Sequence, residues 1–349
     1  MSGKATGGAL FYTQDQGGTK YLIPLLAKLL PRPGARVVAH PLSQDLLCRA
    51  GIPFEPLSEP PDEGRLRAFL RRAGISHVVC TLSARRDLTN ALLIQACAAE
   101  GVPSYGFIDH WKGYERLLDA SGSPRYAPDY IGCIDEHAQR AIVRIIGDPS
   151  RVRVVGHPQL ERLLAHRDRA RVSDRPRVLI ISQPDDSPGG TWQSVFAPNS
   201  WRLLVSIAEA SRQAGASTCI RSHPKEIDAS PLPADVTSDT SPSWEAALAS
   251  YDIFVGVDSM LLVEAALTRR PCVSLRLAGV GDHSDELPYR LGEIVRSEAQ
   301  IAGAVMRAAA GIHGNDALHP CDLEHAVRGS LERGVRCIEE FLTQTSTHV

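Results

Sequence analysis

Short apolar runs alternate with segments of helical spacing along most of this chain. ALFYT (9–13) is brief and apolar, QDQGGTK follows as a polar glycine loop, and YLIPLLAKLL then repeats its apolar residues at helical intervals. The unit recurs. ARVVAHP, PFEPL, HVVCTLS and PSYGFID read as strands, and EGRLRAFLRRAG and DLTNALLIQACAAEG as helices, the second ending on a C-cap glycine. YIGCIDEHAQRAIVRIIG and RVRVVGHP complete this half. Residues 164–176, LAHRDRARVSDRP, are charged and aperiodic and read as a linker. The alternation then restarts with RVLIISQP (177–184), SWRLLVSIAEASRQAG, STCIRSHP, SWEAALASYD, IFVGVD (253–258), SMLLVEAAL and CVSLRL, and turns helical after about residue 297.

Strands alternating with helices predict parallel, doubly wound sheets. The expected architecture is α/β, two Rossmann-like domains facing across a cleft: 1–165, and 166–349 with the C-terminal helices attached to the latter. Ligands of such sheets bind beyond the carboxyl ends of the strands, so the residues just after each strand carry the functional question.

Composition narrows the field. At 349 residues the chain exceeds one typical core and fits two. A net charge of −2 and 5% aromatic residues supply neither an electrostatic footprint nor stacking platforms for nucleic acid, so no nucleic-acid partner is expected. The eight cysteines, Cys48, Cys80, Cys97, Cys133, Cys219, Cys272, Cys321 and Cys337, are scattered without a CxxC pair and read as reduced, mostly core residues. No basic-then-apolar leader opens the sequence, and YLIPLLAKLL is short and carries a lysine, so a cytoplasmic protein is expected.

Three strand ends in the second half bear unusual chemistry. In VGVDSMLLVEAAL the strand closes at Asp258 and Ser259 takes the N-cap of the next helix, whose first-turn N–H groups can hold a phosphate oxygen. Glu264, further along that helix, is in reach of sugar or ribose hydroxyls; the plainer alternatives are an ordinary cap and a solvated carboxylate. CIRSHPKEID ends another strand in Arg221, His223 and Lys225, an imidazole and two cations suited to an anion, with Pro224 stopping the strand. ISQPDDSPGGTWQ ends a third, where Ser182 and Gln183 face a donor and Gly189–Gly190 form a closing loop or a plain surface turn. Asp185 and Asp186 alone are too little for a metal, and none is expected.

In the first half, YGFIDHWKGYERL ends a strand at Asp109 and His110. Either can take the proton of an attacking hydroxyl, with Trp111 and Tyr114 stacking on a sugar face; alternatively Asp109 caps the next segment and Trp111 fills the interdomain seam. TQDQGGT offers Asp15 as a rival base, with Gly17 and Gly18 admitting a ligand to the backbone. It is neither GxGxxG nor a Walker A loop, which leaves NAD(P) and ATP hydrolysis without support. His157 in VVGHP reads more as a loop-positioning residue than as a reacting one.

Together, RSHPKE and the later DIFVGVDSMLLVEAALTRRPCVSL resemble the donor domain of GT-B glycosyltransferases with an HP motif and a downstream serine: bacterial sialyltransferases, capsular Kdo transferases and CDP-glycerol glycerophosphotransferases. SQPDD is similar to the QP motif of the Kdo transferases. QDQGGTKYLIPLL and RVRVVGHPQLERLL resemble segments of GT-B proteins and of non-hydrolysing sugar-nucleotide 2-epimerases. The resemblance implies that His223 and Ser259 contact nucleotide phosphates. It departs from the sialyltransferases in lacking a DDG-like motif before RSHPKE, and its serine is single.

The expected function is sugar transfer from a nucleotide-sugar co-substrate to a sugar or lipid-linked acceptor hydroxyl, with no tightly bound cofactor. CDP-glycerol-type phosphotransfer, UDP-sugar 2-epimerisation recruiting Asp109, Asp135 and Glu136, and catalytically silent nucleotide-sugar binding are the rivals. A lipid-linked acceptor leaves peripheral membrane contact open; the oligomeric state is not legible in the sequence.

Overall fold

The computed structural model describes residues 8–57, 61–83, 87–166, 175–183, 201–223, 226, 231–277, 287–310 and 321–343. The chain divides into two compact units, Met1–Arg162 with His325–Val349, and Leu163–Glu324.

The first unit begins β1 (Gly8–Thr13), α1 (Gln16–Leu29), β2 (Arg36–Ala39), α2 (Pro41–Arg49), β3 (Glu55–Pro56), α3 (Glu63–Arg72), β4 (Ile75–Thr81) and α4 (Thr89–Glu100). It continues β5 (Ser104–Phe107), β6 (Tyr130–Cys133), α5 (Glu136–Ile146), β7 (Val152–Val154) and α6 (Pro158–Leu163). The strands pair in parallel in the order β3-β2-β1-β4-β5-β6-β7. The order reverses between β1 and β4, the place where open α/β sheets receive ligands. β4 is buried along nearly its whole length, so its centre, Val78, Val79 and Cys80, is apolar without alternation. Asp15, Asp62 and Asp135 cap α1, α3 and α5 by accepting from first-turn amides, and Gly101 and Gly147 end α4 and α5 in the left-handed conformation.

The second unit contains β8 (Arg177–Ile181), α7 (Trp201–Gln213), β9 (Ser217–Arg221), β10 (Val236–Ser238), α8 (Trp244–Ser250), β11 (Ile253–Gly256) and α9 (Met260–Leu267). β12 (Cys272–Leu275), β13 (Glu293–Val295) and α10 (Ile301–Ala309) follow. Its parallel sheet runs β10-β9-β8-β11-β12-β13 and reverses between β8 and β11. The core of this unit gathers Val178, Ile180, Ile207, Val255, Val273 and Val305 from sheet and helices.

Two expectations are corrected. The C-terminal helices do not stay with the second domain: α11 (Cys321–Val327) spans the division and α12 (Ser330–Thr343) belongs to the first unit. Ile338 and Phe341 of α12 join the core around Tyr21, Leu25 and Phe107. Glu161 accepts from the Gly329 and Leu331 amides, placing a carboxylate on the positive end of α12. Second, QDQGGTK is not all loop, since Gln16, Gly17 and Gly18 already form the first turn of α1.

Candidate functional site

In the first unit, the chain beyond β5 places Asp109 against the start of α1. Asp109 is buried, and a Cβ on Gly17 would lie 2.6 Å from its Oδ2. Arg116 approaches from the other side, with Nη1 3.9 Å from Oδ1. The carboxylate thus lies between a helix N-terminus and a guanidinium. Next to it, a Cβ on Gly18 would meet Thr81 Oγ1 at 2.3 Å and Thr81 Cβ at 2.6 Å. The glycine pair therefore answers to packing against Asp109 and Thr81, which corrects its expected role of admitting a ligand to an open loop.

The remaining expected residues of this unit separate clearly. Asp15 is the N-cap of α1, its Oδ1 accepting from the Gly18 amide at 2.8 Å. His110 is half-buried with its ring edge-on to Trp111. Trp111 is wholly buried and donates from Nε1 to Asp135 Oδ2 at 2.6 Å, so it is no sugar platform. Asp135 also takes the Ala138 amide at 2.8 Å. It is a structural carboxylate.

VVGHP has a structural explanation as well. Gly156 adopts φ +92°, and a Cβ there would collide with Ser330 Oγ. The His157 amide donates to that same oxygen at 2.9 Å, and Tyr21 Oη donates to Gly156 O at 3.0 Å. His157 Nδ1 accepts from the Leu160 amide at 3.3 Å while its ring packs on Tyr21. Burial, aided by His110 and Lys20, pushes the His157 imidazole down to about 3. It is neutral at physiological pH and fixes the seat of α12.

A polar cluster near the β1/β4 reversal has no counterpart among the expected residues. Gln14 is buried, donates to Asp87 O at 3.0 Å and accepts from the Asn90 amide at 3.0 Å. His40, the N-cap of α2, places Nε2 3.0 Å from Asp87 Oδ2. Asp87 Oδ1 takes the amide and hydroxyl of Thr89. The legible signals were the polar DLTN segment after a strand and a proline directly after His40.

In the second unit, Ser182 and Gln183 follow β8, His223 follows β9, and Asp258 and Ser259 follow β11, three neighbouring parallel strands ending at one edge. Gln183 and Asp258 bind reciprocally across the β8/β11 reversal: Gln183 Nε2 donates to Asp258 Oδ1 at 2.8 Å, and the Asp258 amide donates to Gln183 Oε1 at 3.3 Å. Ser182 Oγ donates to Glu226 Oε1 at 2.6 Å, while the Glu226 amide donates to His223 O at 2.9 Å. Burial raises the Glu226 carboxyl above its ordinary range, outweighing the Ser182 hydroxyl and the His223 backbone, which favour the carboxylate. Ser182 and Gln183 are buried, so their side chains organise the strand ends where direct donor contacts were expected.

Arg221 is also engaged by protein. Its Nη1 pairs with Asp239 and donates to Ser241 O at 3.2 Å; the Asp239 side chain is 1% exposed. Burial works to raise the Asp239 carboxyl, but donors from Ser241, Arg221 and Tyr251 together hold it below its usual range. Glu264, expected to face hydroxyls or solvent, is buried on α9. His223 and Ser259 are half-exposed. Ser259 Oγ accepts from the Leu262 amide at 3.4 Å, and its carbonyl takes the Leu262 and Val263 amides. Met260 and Leu261 supply the first-turn N–H groups that have no intrahelical acceptor. Lys225, with Pro224, Asp185, Asp186 and Gly189–Gly190, lies outside the described residues. Among the described residues no group of three His, Cys, Asp or Glu could hold a metal, and no helix is long and apolar enough to cross a membrane.

No family model and no curated protein matches the sequence. Solved structures do. UDP-GlcNAc 2-epimerase from Neisseria meningitidis, with UDP-GlcNAc bound, is similar over 95% of this chain and 100% of its own, with a TM-score of 0.67 and 10% identity. Anabaena Alr3699/HepE, in complex with UDP and glucose, is similar over 96% of this chain and 99% of its own, with a TM-score of 0.59 and 13% identity. The glycotransferase of kitacinnamycin is similar over 96% and 98%, with a TM-score of 0.58 and 15% identity. The fold is that of the GT-B-like UDP-sugar enzymes. At such identities the likeness is one of fold, two Rossmann-like units each with a parallel sheet.

Proposed function

We propose that this chain is a metal-independent glycosyltransferase using a nucleotide-sugar donor. One observation supports the reading: β8, β9 and β11, neighbours at the strand-order reversal, end at one edge, which brings His223 and the start of α9 to the same end of the sheet. His223 and the amides at the start of α9, capped by Ser259, hold the donor phosphates and stabilise charge on the leaving nucleotide. Gln183, Asp258, Ser182 and Glu226 set the geometry of that edge. On the acceptor side, Asp109 accepts the proton of the attacking hydroxyl. The UDP, UDP-GlcNAc and glucose ligands of the structural neighbours support a uridine diphosphate sugar as donor.

A second reading is UDP-sugar 2-epimerisation, favoured by the named activity of several structural neighbours. It calls for several acidic groups around the sugar, and Asp135 is held by Trp111 and Ala138. That favours transfer.

The test is a thermal-shift screen against CMP, CDP, UDP, GDP, ADP and dTDP, followed by incubation with UDP-GlcNAc. A ligand of the native state raises the midpoint according to affinity and concentration. A shift with UDP, and acceptor-dependent release of UDP, support transfer. Conversion of the sugar without net release of UDP supports epimerisation. No shift with any nucleotide overturns both.

A further inference from the structure

One residue at the exit of β8 ties together both ends of the segment that carries His223. The Ser182 amide donates to Arg221 O at 3.0 Å, where β9 ends, and its hydroxyl donates to Glu226 Oε1 at 2.6 Å. The Glu226 amide in turn donates to His223 O at 2.9 Å. Ser182 is 3% exposed and Glu226 is half-buried. The next residue, Gln183, clasps Asp258 on the other side of the reversal. Two consecutive residues therefore hold the His223 segment on one flank of β8 and the approach to α9 on the other.

The sheet alone does not fix His223. β9 ends at Arg221, two residues earlier, and its ladder with β8 stops there. An imidazole on a loosely held segment must be ordered each time a ligand binds, and that ordering is subtracted from affinity. The Ser182–Glu226 bond supplies the order in advance. A hydroxyl donating to a carboxylate is among the short, strong protein hydrogen bonds, and 2.6 Å falls in that class. A carboxylate beside a phosphate is otherwise unfavourable, since like charges repel. That argues for Glu226 acting through the segment it holds, with no contact of its own to the donor.

We propose that Glu226, anchored by Ser182, is a positioning residue of the donor site and fixes the segment that presents His223 to a donor phosphate. This rests on the reading of the β8, β9 and β11 edge as the donor site. It adds that the affinity of that edge depends on a carboxyl group that does not touch the nucleotide. The signature is coupling: the Ser182–Glu226 bond matters to the ligand only through His223.

The test is calorimetric titration of the full chain with UDP, with urea unfolding of the same samples. Glu226→Ala is expected to weaken UDP binding by about threefold to tenfold, less than loss of the imidazole itself, because His223 remains but must be ordered on binding. In a His223→Ala background the same change should cost under about twofold. Glu226→Gln keeps an oxygen that accepts from the Ser182 hydroxyl and should recover affinity to within about twofold of wild type. Ser182→Ala breaks the bond by removing one oxygen; it should match the Glu226→Ala loss, and it carries the measurement if Glu226→Ala does not fold. Wild-type affinity in either folded variant, or an undiminished loss in the His223→Ala background, overturns the positioning role alone. So does a loss that glutamine fails to recover, which would assign the effect to charge. Absence of UDP binding by the wild type overturns the donor-site reading, and the positioning role with it.

Discussion

The Asp109 carboxylate rests directly on Gly17, and a Cβ at that glycine would stand 2.6 Å from Oδ2. Two segments some ninety residues apart in sequence thus fit only because one of them carries no side chain. Gly17→Ala must displace a buried carboxylate and is expected to cost about 1–3 kcal/mol in urea unfolding. In an Asp109→Ala background the sign should reverse, since alanine is a better helix former than glycine by up to about 1 kcal/mol. Equal costs in both backgrounds would reject the contact.

Asp109 also carries the proposed base. Asp109→Asn should abolish acceptor-dependent release of UDP while leaving UDP affinity within about twofold, a difference of under 0.5 kcal/mol. An active variant would reassign the base, with Asp15 the next residue to replace, although its cap on α1 adds a stability loss of about 1 kcal/mol.

His223→Ala is expected to weaken UDP binding by roughly tenfold to a hundredfold, the worth of one hydrogen bond to a charged phosphate. Arg221→Ala makes the contrasting case. It should mainly destabilise the second unit, by about 3 kcal/mol, because Asp239 would lose its paired guanidinium. Calorimetric titration with UDP alongside urea unfolding separates the two; an Arg221→Ala protein of normal stability and lost affinity would return that arginine to the phosphates.

Gln183→Leu tests the clamp across the β8/β11 reversal. It removes the donor to Asp258 and the acceptor of the Asp258 amide, both buried, and should cost about 2–4 kcal/mol. A thermal midpoint equal to wild type would show that the pair contributes nothing.

His157 sets an acid limit. Its folded value of about 3 lies below the ordinary 6.5, so between these the unfolded chain binds the extra proton. The stability it supports is complete above pH 6.5 and falls as the pH drops toward 3, by at most about 4 kcal/mol. His157→Asn keeps an acceptor for the Leu160 amide and should flatten urea-unfolding stability across that window, at some cost in packing on Tyr21. An unchanged slope would rule the imidazole out as its source.

What the sequence determined is what local chemistry dictates. The alternation of apolar runs and helical spacing set two parallel sheets, and ALFYT, HVVCTLS, RVLIISQP and IFVGVD lie on the four strands that flank the two reversals. Ser259 announced a helix start because a cap acts on amides two or three residues away, whereas Asp15 and Asp135, read as reacting acids, are caps of the same kind. Short edge elements escaped: β10 and β13 are three residues each, too brief for a period to register.

Tertiary structure decided everything that depends on partners distant in sequence. Trp111 reads as a sugar platform until Asp135 is seen to hold its indole, and Glu264 reads as a surface carboxylate until α9 is packed. Gly17 and Gly18 look like a ligand loop, yet their lack of side chains answers to Asp109 and Thr81. Helix α12 joins the first unit through Ser330, Glu161 and Phe341, contacts spanning up to three hundred residues of chain. Periodicity fixes which face of an element is apolar, but which apolar face it meets depends on shape and on hydrogen-bond partners that only the folded chain brings together.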